Sequence, residues 1–274
     1  MQKPILPINF YRGVRDSQLI GLSGYTKEGL PVFAIGAGLS TFDKASVHYY
    51  VQSHIQINEY RDRVILPEAT KRHGKYIGKC VKVLDMSGLK LSALNQIKLL
   101  QTISTVDDLN YPEKTVTYYI VNVPYIFSAC WKVVKPLLQE RTKLKVRVLQ
   151  GGGRDELLKI MDYSALPHFC RRDGSGSGSG SVLRSWSGSW SGSVSSGSGS
   201  STNSDDDCYS LDHPFHQELY RYMKQQSGTH EPLEPAKQGS VHVEVPLSNT
   251  ENAELHTTLE SELMKLRLHN TRSF

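Results

Sequence analysis

The chain has 274 residues, 38% of them hydrophobic, with a formal net charge of +5. That length suits one domain with tails, and the small basic excess favours anionic partners such as phospholipid headgroups or nucleic acid. No run of about 20 apolar residues is present to span a bilayer, and the opening MQKPILPINF lacks the apolar stretch of a signal peptide.

From residue 20 to 170 the pattern predicts strands alternating with helices. Pro31 to Gly36 is a short apolar run between Gly29 and Gly38, hence a strand. Thr41 or Asp43 is placed to cap a helix through about Tyr60, with Val47, Tyr50, Val51 and Ile55 on one face. Cys80 to Met86 reads as a second strand. Ser92 is placed to cap a helix carrying Leu94, Ile97, Leu100 and Ile103. Val116 to Val123 reads as a third strand, apolar enough to be buried on both faces. Tyr125 to Leu138 is an aromatic-rich amphipathic helix. Lys145 to Leu149 is a fourth strand with Lys145 and Arg147 on one face, so it belongs at an edge or beside a polar site. Gly151-Gly152-Gly153 then turns the chain into a helix over Asp155 to Met161. Alternation of this kind predicts an α/β fold with a largely parallel sheet flanked by helices.

Past Arg172 the composition changes. Residues 173–207 are mostly Gly and Ser and end in Asp205-Asp206-Asp207. Such a segment reads as a disordered linker, since it buries too little apolar area to offset its ordering entropy. Beyond it, a helical tail is expected over 208–274. His213 to Gln226 shows an apolar stripe of Phe215, Leu219, Tyr222 and Met223, Val241 to Val245 alternates like an edge strand, and Ala253 to Leu268 carries a leucine face. The expected organisation is a segment 1–19, a domain 20–172, the linker 173–207 and the flexible C-terminal extension 208–274.

Few residues suggest covalent chemistry. There is no G-x-S-x-G elbow and no Walker sequence. Gly151-Gly152-Gly153-Arg154 reads as a tight strand-to-helix turn, although a helix start after a strand is also a place where anions bind. Asp107 and Asp108 read as a helix terminus ahead of an acid/base pair. Cys80, Cys130, Cys170 and Cys208 form no C-x-x-C pair and have no zinc-like spacing. His213 and His216 near Cys208 read as helix surface rather than as metal ligands. No catalytic residue, cofactor or metal is therefore expected, and thiols stay reduced in a cytoplasmic setting.

The order of motifs between Tyr111 and Lys145 resembles the CRAL-TRIO lipid-binding family, most closely its plant phosphatidylinositol-transfer branch. Tyr111-Pro112-Glu113-Lys114 is similar to the family's Y-P-E-[RK], and Tyr119-Ile120-Val121-Asn122-Val123-Pro124 to its Y-I-[IV]-N-[AV]-P strand. Lys135-Pro136 and Leu157-Leu158 sit at family-like spacing. The resemblance covers roughly residues 20–170. It implies a CRAL-TRIO-like mixed sheet, binding and transfer of phosphatidylinositol or a related phospholipid, a peripheral encounter with a Golgi or plasma membrane surface, and no nucleic acid. It further implies that Glu113, Thr142 and Lys145 hold the lipid headgroup. The segment 125–138 would be a gating helix whose Tyr125, Phe127, Trp131, Val134 and Leu138 cover an acyl-chain cavity. A cation for the phosphodiester and a carboxylate for inositol hydroxyls make chemical sense of the first set. A movable apolar lid makes sense of the second, since each buried methylene contributes about 0.8 kcal/mol.

Two departures stand out. Cys80 and Lys82 occupy strand positions where relatives that carry phosphatidylcholine use small hydroxyl residues. The family's helical N-terminal subdomain has no counterpart before residue 20, so the chain reads as an N-terminally truncated form. A scaffold that keeps the fold without transferring lipid is the alternative reading, and a small-molecule enzyme the third.

Overall fold

The computed structural model describes residues 8–171 and 207–228. The Gly/Ser stretch 173–206 and the expected strand and helix at 241–245 and 253–268 lie outside the described residues. In chain order the elements are α1 (Ile8–Ser17), β1 (Ile20–Tyr25), β2 (Pro31–Ile35), α2 (Val47–Tyr60), α3 (Leu66–His73), β3 (Cys80–Asp85), α4 (Ile97–Asn110) and β4 (Thr115–Val121), followed by α5 (Phe127–Val134), α6 (Glu140–Lys143), β5 (Val146–Val148), α7 (Arg154–Leu158) and α8 (Pro214–Gly228). A π-helical turn, Arg61–Ile65, joins α2 to α3.

The sheet order is β1-β2-β3-β4-β5. β1 pairs antiparallel with β2, and every later neighbour is parallel. This is the largely parallel sheet that the alternating pattern predicts, with the mixed pairing that the resemblance implies, and β5 is at its edge, one of the two places its charge pattern allows. β4 departs from the expectation of burial on both faces. Thr115, Tyr119, Ile120 and Val121 are buried, but Val116 is 41% exposed and Thr117 and Tyr118 are only half-buried. The strand also stops before Val123, because Asn122 turns into the left-handed region at φ 53 and donates through Nδ2 to Asp85 Oδ1 at 2.9 Å. The expected caps differ too. Ser46, not Thr41 or Asp43, precedes α2, and Ser92 falls in a 3-10 turn, Leu91–Gln96, that leads into α4.

Alternation along the strands sends residues to two different layers. Val32, Ala34, Val81, Val83 and Val121 pack on one face against Leu157, Met161, Leu166 and Phe169. Phe33 and Cys80 face the other way, against Tyr50, Ile57 and Tyr60 of α2. Gly153, at φ 66, makes the turn into α7. A side chain there would come within 2.7 Å of Leu149.

The packed unit is wider than residues 20–172. Tyr11 and Val14 of α1 are buried, and so are Phe215, Leu219 and Met223 of α8. Phe215 meets Phe33 edge-on at 6.1 Å, and Tyr60 donates to Glu218 Oε2 at 3.1 Å. The apolar stripe read in the tail is therefore a core face of the domain. The segment also changes layer. Cys208 belongs with the Leu157 cluster, Phe215 with the Tyr50 cluster. Gly21 makes that route possible, since a Cβ there would lie 2.0 Å from the Cys208 carbonyl oxygen. His216 is accordingly buried, 2% exposed, rather than on the helix surface. Burial, with Arg15 nearby, pushes its imidazole down to about 3, so it is neutral.

Candidate functional site

Tyr111, Pro112, Glu113 and Lys114 form the tight connection from α4 to β4. Glu113 sits at φ 59, a left-handed backbone that non-glycine residues seldom adopt. Tyr111 anchors the turn by donating from its hydroxyl to Glu59 Oε1 at 2.9 Å. The turn aims the Glu113 carboxylate at Lys145, whose Nζ donates to Oε2 at 2.6 Å. That hydrogen bond and charge hold the Glu113 carboxyl below its ordinary range. Thr142 belongs to α6, and its carbonyl accepts from the Lys145 backbone N–H at 3.0 Å. Lys145 in turn accepts, through its carbonyl, from the Tyr118 N–H at 3.0 Å, so the lysine is tied to β4. Glu113, Thr142 and Lys145 thus come together from three elements, around a polar recess of about 30 Å³. Arg141 reaches Asp108 at 3.4 Å on the same rim.

Next to the recess lies a second, apolar cavity of about 370 Å³. Its floor is the sheet, through Phe33, Ile35, Leu84, Ile120 and Val146, and its walls include Leu94, Ile97 and Ile103 of the α4 region. Phe127, Trp131 and Val134 of α5, with Leu138 just beyond, complete it. Phe127 and Trp131, one turn apart, stack at 5.8 Å between ring centroids. The same helix buries Ala129, Cys130 and Val133. The helix is shorter than the span 125–138, running as α-helix only to Val134 before a 3-10 turn, Lys135–Leu137, that Pro136 enforces. Tyr125 does not join the other four. It precedes the helix after Pro124, is 79% exposed, and is not among the residues lining the cavity.

Recess and cavity are contiguous. Arg61, Lys82, Asp107, Asp108, Tyr118 and Thr142 line both. At this neck His54 Nε2 and Asp107 Oδ1 lie 2.6 Å apart, Asn58 Nδ2 donates to the same oxygen at 2.9 Å, and Lys82 Nζ is 3.7 Å from Oδ2. Burial works against the Asp107 carboxylate, but His54, Lys82 and Asn58 outweigh it and hold its pKa well below the carboxylate range. Burial also opposes the Lys82 ammonium, yet Asp107, with Tyr118 and Cys80, keeps its pKa above the ordinary lysine value. Arg61 donates to Asn58 Oδ1 at 2.6 Å and to Asp62 Oδ1 at 2.7 Å. Sequence reasoning missed this cluster. It read Asp107 as a helix terminus only and gave His54, Asn58 and Arg61 no role. The signal for it was Lys82, a lone cation inside the apolar run of β3. Among the described residues, no group of three metal-ligating side chains is present, and no helix is long and apolar enough to cross a membrane.

The family model for the CRAL/TRIO domain matches residues 15–170. The phosphatidylinositol/phosphatidylcholine transfer protein SFH12 of Arabidopsis thaliana is 32% identical over 155 residues, 54% of this chain and 28% of that protein. The SEC14 cytosolic factor of Eremothecium gossypii is 29% identical over 147 residues, 52% of this chain and 47% of that protein. The chain thus spans less than half the length of these curated relatives. The solved structure of Sfh5 aligns with a TM-score of 0.44 at 18% identity, covering 55% of this chain and 54% of that one. The matched residues take in the whole sheet, the Tyr111–Lys114 turn and α5, and by this match the chain belongs to the CRAL/TRIO family.

Proposed function

We propose that the chain binds a phospholipid, phosphatidylinositol foremost, presents its headgroup at the recess, and carries it between membranes without a covalent step. The observation that carries this reading is the joining of a polar recess to an apolar cavity through a shared neck. A phospholipid has the same division, with a hydroxylated headgroup at one end and acyl chains at the other. Glu113 and Lys145 are paired with each other in the described state. That exposed pair is screened and exchanges readily for ligand contacts, Lys145 to phosphate and Glu113 to inositol hydroxyls. The cavity, at about 370 Å³, is the size of a pocket for a small molecule. A diacyl lipid needs more room, so α5 must swing outward for loading, with Phe127 and Trp131 leaving the cavity. At a membrane those rings insert into the interface, and exchange takes place at a cytoplasmic membrane face such as the Golgi or plasma membrane.

Lipid mass spectrometry of the protein after incubation with mixed phosphatidylinositol and phosphatidylcholine vesicles tests the reading. Bound phosphatidylinositol is expected. Lys145→Ala should weaken its binding by about 1–3 kcal/mol, a loss of roughly 5- to 150-fold. A protein that stays empty, or equal loading in parent and variant, would remove the reading or its headgroup assignment respectively. For the gate, hydrogen exchange over 125–138 should rise relative to β4 when anionic vesicles are added. Protection equal to that of β4 and indifferent to vesicles would make α5 a fixed core helix.

A further inference from the structure

We propose that Arg61 and Lys82 form a phosphodiester clamp at the neck, and that the clamp selects glycerophospholipids of net negative charge. This rests on the phospholipid reading above. It adds a binding role for two residues outside the Glu113, Thr142 and Lys145 set.

The argument begins with an unmet hydrogen bond. The Arg61 side chain is 3% exposed, and its Nε and Nη1 are occupied by Asp62 and Asn58. Its Nη2 is buried with no acceptor among the described residues. A buried guanidinium N–H lacking an acceptor is costly, and the cost falls when an oxygen is supplied. Arg61 lines both recess and cavity, and an occupant of the neck is the partner assigned to it. Lys82 reaches the same neck from β3 with a side chain 11% exposed, and Asp107 at 3.7 Å leaves its three donors incompletely used. The backbone is also unusual here, because Arg61 opens a π-helical turn. That geometry widens a helix by a residue and recurs at binding sites.

Chemistry names the occupant. In a glycerophospholipid the phosphodiester is the link between headgroup and diacylglycerol. With the headgroup in the recess and the chains in the cavity, that link falls at the neck, and Lys145 contacts the same phosphate from the recess side. Its two free oxygens accept from a guanidinium and an ammonium together. Five cationic side chains and three carboxylates line the recess, so a headgroup with a positive charge of its own meets an excess of cations. An uncharged polyol headgroup on a phosphodiester suits the site, and a quaternary ammonium does not.

The test compares loading of phosphatidylinositol, phosphatidylcholine and dioleoylglycerol from vesicles into the full chain. The third has acyl chains but no phosphate. Arg61→Gln and Lys82→Met should each lower phosphatidylinositol loading at least tenfold while leaving dioleoylglycerol loading unchanged. Lys159→Met removes a charge just past α7, away from both recess and cavity, where Lys159 pairs with Glu156 at 2.6 Å, and should change little. Inorganic phosphate at millimolar concentration should not compete with the lipid. The clamp is overturned if phosphatidylinositol and dioleoylglycerol fall together, if Lys159→Met costs as much as Lys82→Met, or if phosphate alone competes. It is also overturned by phosphatidylcholine loading in the parent equal to phosphatidylinositol loading. A parent that loads no phospholipid defeats the transfer reading itself, whereas a parent that loads it with undiminished variants defeats only the clamp. Should a variant fail to fold, the structure of the loaded parent decides. Phosphorus within hydrogen-bonding reach of Arg61 and Lys82 supports the clamp, and phosphorus held by Lys145 alone overturns it.

Discussion

The two faces of one sheet are made by alternate residues of the same strands, yet one face is filled and the other hollow. Val32, Ala34, Val81 and Val83 meet Leu157, Met161 and Leu166 on the filled side, and these last three have no exposure. Phe33, Ile35, Leu84 and Ile120, their neighbours in sequence, border the cavity. Hydrophobicity alone therefore does not decide where a cavity forms. The covering elements decide it. α7 and the short turns of the segment 160–170 fit closely onto one side. On the other side α2, α4 and α5 meet around buried polar groups that cannot collapse into a dry core.

The sharpest way to break this comparison is to remove what closes the sheet. Ending the chain at Arg171 deletes α8 and bares the surfaces under Phe215, Leu219 and Met223. The lost burial is on the order of 5 kcal/mol, and urea unfolding should show a protein unfolded or barely folded. A truncated form as stable as the parent would mean that α8 contributes little. A single residue gives the next largest effect. Leu166→Ala on the filled face should cost about 2–5 kcal/mol, because its neighbours leave a cavity rather than close over it. Trp131→Ala on the hollow face should cost less, about 1–2 kcal/mol, since it enlarges an existing void, but it should reduce lipid loading where Leu166→Ala spares it. Equal stability losses would erase the difference between the faces. The smallest effect concerns pH. The folded pKa of Asp107 is depressed, so its contribution is present above the unfolded value of about 4 and is lost as pH falls through the folded value. Urea midpoints measured from about pH 6 to about pH 2 should fall less steeply for Asp107→Asn than for the parent. Parallel slopes would show that the neck carboxylate is not held by its cations.

Much of the frame was legible. The apolar runs at 31–36, 80–86 and 116–123 gave three strands, and the charge pattern of Lys145 and Arg147 put the fourth at an edge or beside a polar site. Glu113 and Lys145 were paired by motif, 32 residues apart, and they do meet. The neck was not legible, for a physical reason. His54, Arg61, Lys82 and Asp107 come from α2, the turn after it, β3 and α4, and no local spacing links them. The burial of His216 was hidden similarly. Polar residues on a tail helix look like surface until the helix is known to lie on the sheet. Tyr125 was misplaced because Pro124 and the start of α5 divide an apolar run that periodicity alone treats as continuous.

The route of the segment from Cys208 to Gly228 also orders events in time. It crosses from one layer of the sheet to the other, and Gly21 is shaped to let it pass. During synthesis, every strand of the sheet leaves the ribosome well before α8 does. At roughly 5–20 residues per second, the sheet waits several seconds without the cover that Phe215, Leu219 and Met223 give. The nascent domain thus exposes apolar surface during that interval, and its final closure is an act of the C-terminal side of the chain. Ribosome-bound chains halted after Arg171 should be cut by protease within β1, and chains halted long enough after Gly228 for α8 to emerge should resist. Equal resistance at both lengths would show that the sheet closes unaided.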